Sequence, residues 1–124
     1  MKRCASWTAN GCTVIQRPLR YPLNYLHLLA QEKGIDVELS IDVVAGAIDR
    51  TYDVGIVFSR DSDIRPAIEL VVNRFVQLPR LELASWSSPT STRPIPVRAQ
   101  RNVWCHSPDQ LDNVAVADPT DYAK

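Results

Sequence analysis

Residues 52–75 read YDVGIVFSRDSDIRPAIELVVNRF, and the fold turns on how this stretch divides. Val54 to Phe58 is a short apolar run without alternation, bounded by Asp53 and Ser59. Such a run is expected of a strand buried on both faces in a parallel sheet. Asp61-Ser62-Asp63 follows directly. Ile64, Ala67, Ile68, Val71, Val72 and Phe75 then recur at helical spacing. That spacing predicts an amphipathic helix with Ser62 or Asp63 as its cap and Pro66 in its first turn.

Working outward, Cys12 to Gln16 (CTVIQ) reads as a strand closed by Arg17-Pro18, and Pro18 to Pro22 as a stiff loop. Leu23 to Gln31 fits either a loop or a short helix. Ile35, Val37, Leu39, Ile41 and Val43 alternate with polar residues, which slightly favours a half-exposed strand. Leu39, Val43, Val44, Ala47 and Ile48 also form one helical face. Leu81 to Trp86 and Val103 to His106 are further strand candidates. Pro89 to Pro96 reads as a surface loop, and the acidic tail from Asp109 holds one helical turn. Strands alternating with helices at these spacings imply right-handed βαβ units and a parallel sheet. Ligands of such sheets bind at the carboxyl ends of the strands, where Ser59, Asp61 and Asp63 fall.

The 124 residues suffice for one domain with a modest core. Apolar residues make up 45% and charged ones 23%, an ordinary globular balance. No run approaches transmembrane length, and the basic N-terminus has no apolar signal core behind it. The expected location is the cytoplasm. Cys4, Cys12 and Cys105 are an odd set without a CxxC pair, so they read as unpaired thiols rather than disulfides or zinc ligands.

The net charge is zero but segregated: +4 over residues 1–31, −5 over 32–63, +4 over 64–108 and −3 over the last sixteen. An acidic block between basic flanks suits a metal site framed by phosphate-binding arginines. Ordinary surface charge would read the same way.

Asp61 and Asp63 are the leading candidates for chemistry. Capping accounts for one aspartate at a helix start, but a pair two residues apart points to a divalent cation. A nucleotide-sugar transferase would be much larger, and an aspartyl phosphatase would want Thr or Val where Arg65 stands. His27 and His106 lie too far apart to suggest a ligand set. Trp86 and Trp104 fall in strand candidates and read as core residues.

Gln31-Glu32-Lys33-Gly34-Ile35-Asp36, Asp53-Val54 through Ser59, and Asp61-Ser62-Asp63 occur in order and at the spacing of a known family. Together they resemble the NYN domain, a PIN-like ribonuclease. The similarity extends more weakly from Cys12 to about Phe75. Leu83 to Ser88 and Arg101 to Tyr122 look like the trailing region of actinobacterial members.

The resemblance implies an α/β, PIN-like three-layer fold with a mostly parallel sheet flanked by helices. It implies that Asp36 opens a helix, which overrides the alternation after Ile35. Asp36, Asp61 and Asp63 would be the catalytic, metal-binding carboxylates, with Mg²⁺ or Mn²⁺ activating water. Ser59, Lys33 and Arg60 would contact phosphate. The implied activity is endoribonucleolytic, on single-stranded RNA; the runner-up is a silent RNA-binding or protein-interaction module. Homo-oligomers are compatible with either, and no membrane is expected.

Two departures stand out. NYN domains begin with an apolar strand ending in Asp, and nothing before Cys12 resembles it. The expectation is therefore an N-terminally incomplete domain, one ligand short. Arg60 also replaces a residue that is more often small.

Overall fold

The structure, a computed structural model, describes residues 2–21, 23, 30–90 and 95–119. The chain divides into two compact units, residues 1–35 with 117–124, and residues 36–116.

In the first unit, α1 (Lys2–Ala9) ends in a paired turn. Cys12 N–H donates to Trp7 O and Gly11 N–H to Thr8 O, with Gly11 at φ +85°. Glycine reaches that left-handed conformation without a Cβ penalty, which is why helices so often stop on it. The strand expected over Cys12–Gln16 does not form. Residues 12–19 carry no regular structure, and among the described residues of this unit the one pairing is an isolated antiparallel bridge, Arg20 to Gln31. β-propensity expresses fit to a pleated neighbour, and among the described residues no strand pairs with this segment. Residues 24–29, with His27, lie outside the described residues.

The second unit carries α2 (Ile35–Asp49), whose first residue lies just outside it, β1 (Val54–Phe58), α3 (Arg65–Arg74), β2 (Arg80–Ala84), β3 (Cys105–His106) and α4 (Gln110–Val116). The strands form one parallel sheet in the order β1-β2-β3, with Val54 opposite Arg80 and Leu83 opposite Cys105. This is an α/β arrangement.

Ile35 to Asp49 is helical, as the resemblance implies and the alternation does not. The alternating apolar side chains Val37, Leu39 and Ile41 point outward, while Val43 and Ala47, one turn apart, enter the core. Asp36 and Glu38 sit in the first turn, where the helix dipole favours carboxylates.

The core lies on one face of the sheet. Val57, Leu81 and Leu83 meet Val43 and Ala47 of α2, Ile64 just before α3, and Ile68, Val71 and Val72 of α3. Ile95 joins them, so the end of the expected surface loop is packed rather than free. The chain behind Ile95 is held to α3 by side chains. Arg98 N–H donates to Glu69 Oε1 (2.8 Å), Gln100 N–H to Asn73 Oδ1 (3.2 Å), and Arg101 reaches the carbonyls of Phe75 and Val76.

The other face differs from expectation. β1 is an edge strand, and Val54, Ile56 and Phe58 are about half exposed while only Val57 is buried. Trp86 and Trp104 are also exposed on this side, not core residues. Phe58 meets Trp86 edge-on at 5.2 Å. α4 borders the same face with no buried residue of its own. It extends beyond the single expected turn because Asp109 and Asp112 cap each other's backbone reciprocally.

Tyr52 locks α2 to β1. Its hydroxyl donates to Val43 O at 2.8 Å. A Cβ on Gly46 would stand 2.8 Å from the ring, and one on Gly55 would stand 3.0 Å from it. Mid-helix Gly→Ala normally stabilises by up to about 1 kcal/mol. At Gly46 the sign reverses, because the ring cannot retreat without breaking its bond to Val43. Gly46→Ala is expected to lower stability by about 1–3 kcal/mol, read as an earlier urea midpoint.

Candidate functional site

Asp36 and Asp63 come together at one groove. It occupies about 520 Å³ between α2 and the start of α3. Asp36 stands in the first turn of α2. Asp63 stands in the single 3₁₀ turn, Ser62–Ile64, that leads from β1 into α3. The remaining lining is Ser40 and a row of apolar side chains, Val37, Ile41, Val44, Ala45, Ile48 and Ala67.

The loop after β1 is built from two successive side-chain turns. Ser59 Oγ accepts from Asp61 N–H at 3.0 Å, and Asp61 Oδ1 accepts from Asp63 N–H at 2.9 Å. Asp61 is thus the residue that caps the turn, where Ser62 or Asp63 was the expectation. Pro66 sits in the first turn of α3 as expected. Each short side chain replaces a backbone partner that the tight turn leaves out. The result fixes Asp63 at the carboxyl end of β1, beside α2.

Capping also turns one oxygen of Asp61 back onto its own loop. Asp61 does not line the groove, and neither does Asp42 further along α2. Among the described residues no group of three or more His, Cys, Asp or Glu side chains is placed to hold a metal ion. Two acidic residues, Asp36 and Asp63, are among those that line the groove. Arg60 is exposed on the loop between Ser59 and Asp61. Lys33 belongs to the first unit, where it is exposed.

A second polar cluster lies on the open face of the sheet, and the sequence reading did not single it out. Glu82 accepts from His106 Nε2 at 2.8 Å and from Arg80 Nη2 at 2.7 Å. The signal was present in the period of two that puts Arg80 and Glu82 on one face of β2. His106 could be placed beside them only through the parallel register of Ala84 with His106.

The hydrogen bond from His106, and then the one from Arg80, hold the Glu82 carboxyl below its ordinary value. A folded-state value below the unfolded one means that the unfolded chain binds the proton more readily. The contribution is therefore present above the unfolded value and is lost as pH falls through the lowered one. Melting temperature should decline more steeply for the wild type than for Glu82→Gln between about pH 6 and pH 3. Parallel declines would show that Glu82 carries no linkage.

Cys4, Cys12 and Cys105 are all free thiols. Among the described residues no helix is long and apolar enough to cross a membrane. No family model, curated protein or solved structure matches the chain.

Proposed function

We propose that this chain is a divalent-metal-dependent endoribonuclease of the NYN, PIN-like type. The observation that supports the reading is the convergence of Asp36 and Asp63 on one groove at the carboxyl end of a parallel strand. Mg²⁺ takes one or two carboxylates and completes its shell with phosphate oxygens and water. A two-aspartate groove fits that requirement without a third protein ligand. When bound, the cation would supply an activated water and charge stabilisation at phosphorus.

The chain's own residues have separate tasks. Asp36 and Asp63 would hold the cation. Asp61 and Ser59 set the turn that aims Asp63. Arg60 is the proposed phosphate contact, through charge rather than through any built pocket.

The apolar lining of the groove supports a second reading, a non-catalytic module that seats an apolar segment of a partner between α2 and α3. One experiment separates the two. Single-stranded RNA is incubated with the 124-residue chain and Mn²⁺, and melting is recorded with and without the metal. Metal-dependent cleavage together with a metal-induced rise in melting temperature supports the enzyme. Absence of both overturns it in favour of the module.

A further inference from the structure

Among the described residues β1 sits at the edge of its sheet, and its outward groups can be assigned from two bonds. Arg80 N–H donates to Asp53 O at 2.8 Å, and Ser59 N–H donates to Ala84 O at 3.1 Å. Backbone groups in a parallel pair face the neighbour on alternate residues. Asp53, Gly55, Val57 and Ser59 therefore turn toward β2. Val54, Ile56 and Phe58 turn their N–H and C=O groups to the open edge.

The same three residues have exposed side chains, at 47%, 58% and 51%. Natural edges are blunted by charge, proline or a bulge, because an open edge is a template for another strand. Val54 to Phe58 has neither charge nor proline, and its register with β2 runs without a bulge.

We propose that this edge is an interface with a second copy of the chain, β1 against β1, antiparallel and centred on Ile56. Self-complementarity is the first argument. With Ile56 opposite Ile56, Val54 falls opposite Phe58 of the partner copy, and every outward N–H and C=O of the three residues finds a partner in both copies. This is the isologous pairing that a two-fold axis generates, and it closes on itself. The facing residues on the open side are all apolar, which suits directly opposed cross-strand positions.

Charge is the second argument. Asp53 precedes the uncharged run and Arg60 follows it. Antiparallel pairing puts Asp53 opposite the uncharged Ser59 of the partner copy, with Arg60 one position further on. Parallel pairing in register would put Asp53 beside Asp53, with nothing to offset the repulsion. The flanks thus select the orientation that the backbone groups also favour. The proposal does not draw on the carboxylate groove.

Light scattering during size exclusion tests it on the full 124-residue chain. Mass should rise from 13.9 kDa toward twice that value as concentration increases. The dissociation constant should lie at about 1–100 μM, as befits an interface only a strand long. Ile56→Lys and Ile56→Glu should each stay monomeric, because the two-fold opposes like charges. An equimolar mixture of the two should recover the dimer mass, a result that misfolded variants would not produce.

A wild type that remains at 13.9 kDa up to about 500 μM overturns the proposal. So does an Ile56→Lys chain that dimerises like the wild type, or a mixture that stays monomeric. A monomer that instead takes up an added extended apolar peptide would give the edge to a foreign strand, and would equally overturn self-pairing.

Discussion

Ile68→Ala is expected to lower the free energy of unfolding by about 2–5 kcal/mol. Ile68 is 0% exposed in the middle of α3 and belongs to the core shared by the sheet and both helices that cover it. Removing its branched side chain leaves a hole in the cluster it shares with Val57, Leu81 and Leu83 of the sheet and Val43 and Ala47 of α2. Neither element can move in freely. The sheet is held by its ladder, and α2 is pinned through the Tyr52 hydroxyl to Val43. The cavity therefore persists, which places the cost toward the upper part of that range. Against a total stability of about 5–15 kcal/mol, this is a large fraction. The melting temperature should fall by roughly 10 °C or more. Leu70, on the outer side of the same helix and 49% exposed, provides the comparison. Leu70→Ala should cost about 0.5 kcal/mol or less. Equal losses at the two positions would show that α3 is not seated as described.

Asp63→Asn carries the second large effect. If the groove holds a catalytic cation, the substitution removes one of its two protein charges and keeps the side chain's size. Manganese-dependent cleavage of single-stranded RNA should fall by about 100-fold or more, the loss typical of removing one preorganised charge-stabilising group. Thermal stability without metal should be unchanged, since Asp63 is exposed and its role in the turn is played by its backbone N–H. Asp61→Asn separates positioning from ligation. Asparagine caps as well as aspartate, so Asp61 Oδ1 is replaced by an equivalent acceptor for Asp63 N–H. Activity should survive Asp61→Asn far better than Asp63→Asn. Equal losses would make Asp61 a ligand and not the buttress of the turn.

How much of this was legible depends on how local the determining physics is. β1 and α3 could be read directly, because an apolar run of five and a six-membered helical stripe each have one solution at that length. The turn between them was legible as a capping site and as a carboxylate pair. Which aspartate caps was not, because Asp61, Ser62 and Asp63 are all competent caps and only the chain's path decides among them. Asp36 was placed with Asp63 by resemblance, since nothing in the spacing reveals that α2 packs beside α3.

The misses share a cause. Cys12 to Gln16 has strand propensity but no neighbour to pair with, and neighbours are not written locally. Trp104 looks like a core residue until β3 proves to be two residues long beside an open face. The end of Pro89 to Pro96 looks like a free surface loop because the chain just beyond it is held by Glu69 and Asn73, 25–29 positions away.

That strap from Ile95 to Arg101 has a consequence for how the molecule opens. Its amides at Arg98 and Gln100 donate to side chains of α3 rather than to a ladder or helix of their own. Release of the strap breaks those bonds and uncovers the Ile95 site while leaving β1, β2 and the backbone bonds of α3 intact. Proteins come apart in cooperative pieces of unequal stability, and a segment with few bonds of its own belongs to the weaker pieces. The two amides therefore exchange with solvent through a sub-global opening, whereas the interior amides of α3 wait for global unfolding. Leu83 and Cys105, which line the pocket beside this strap, are the residues that its release bares to water.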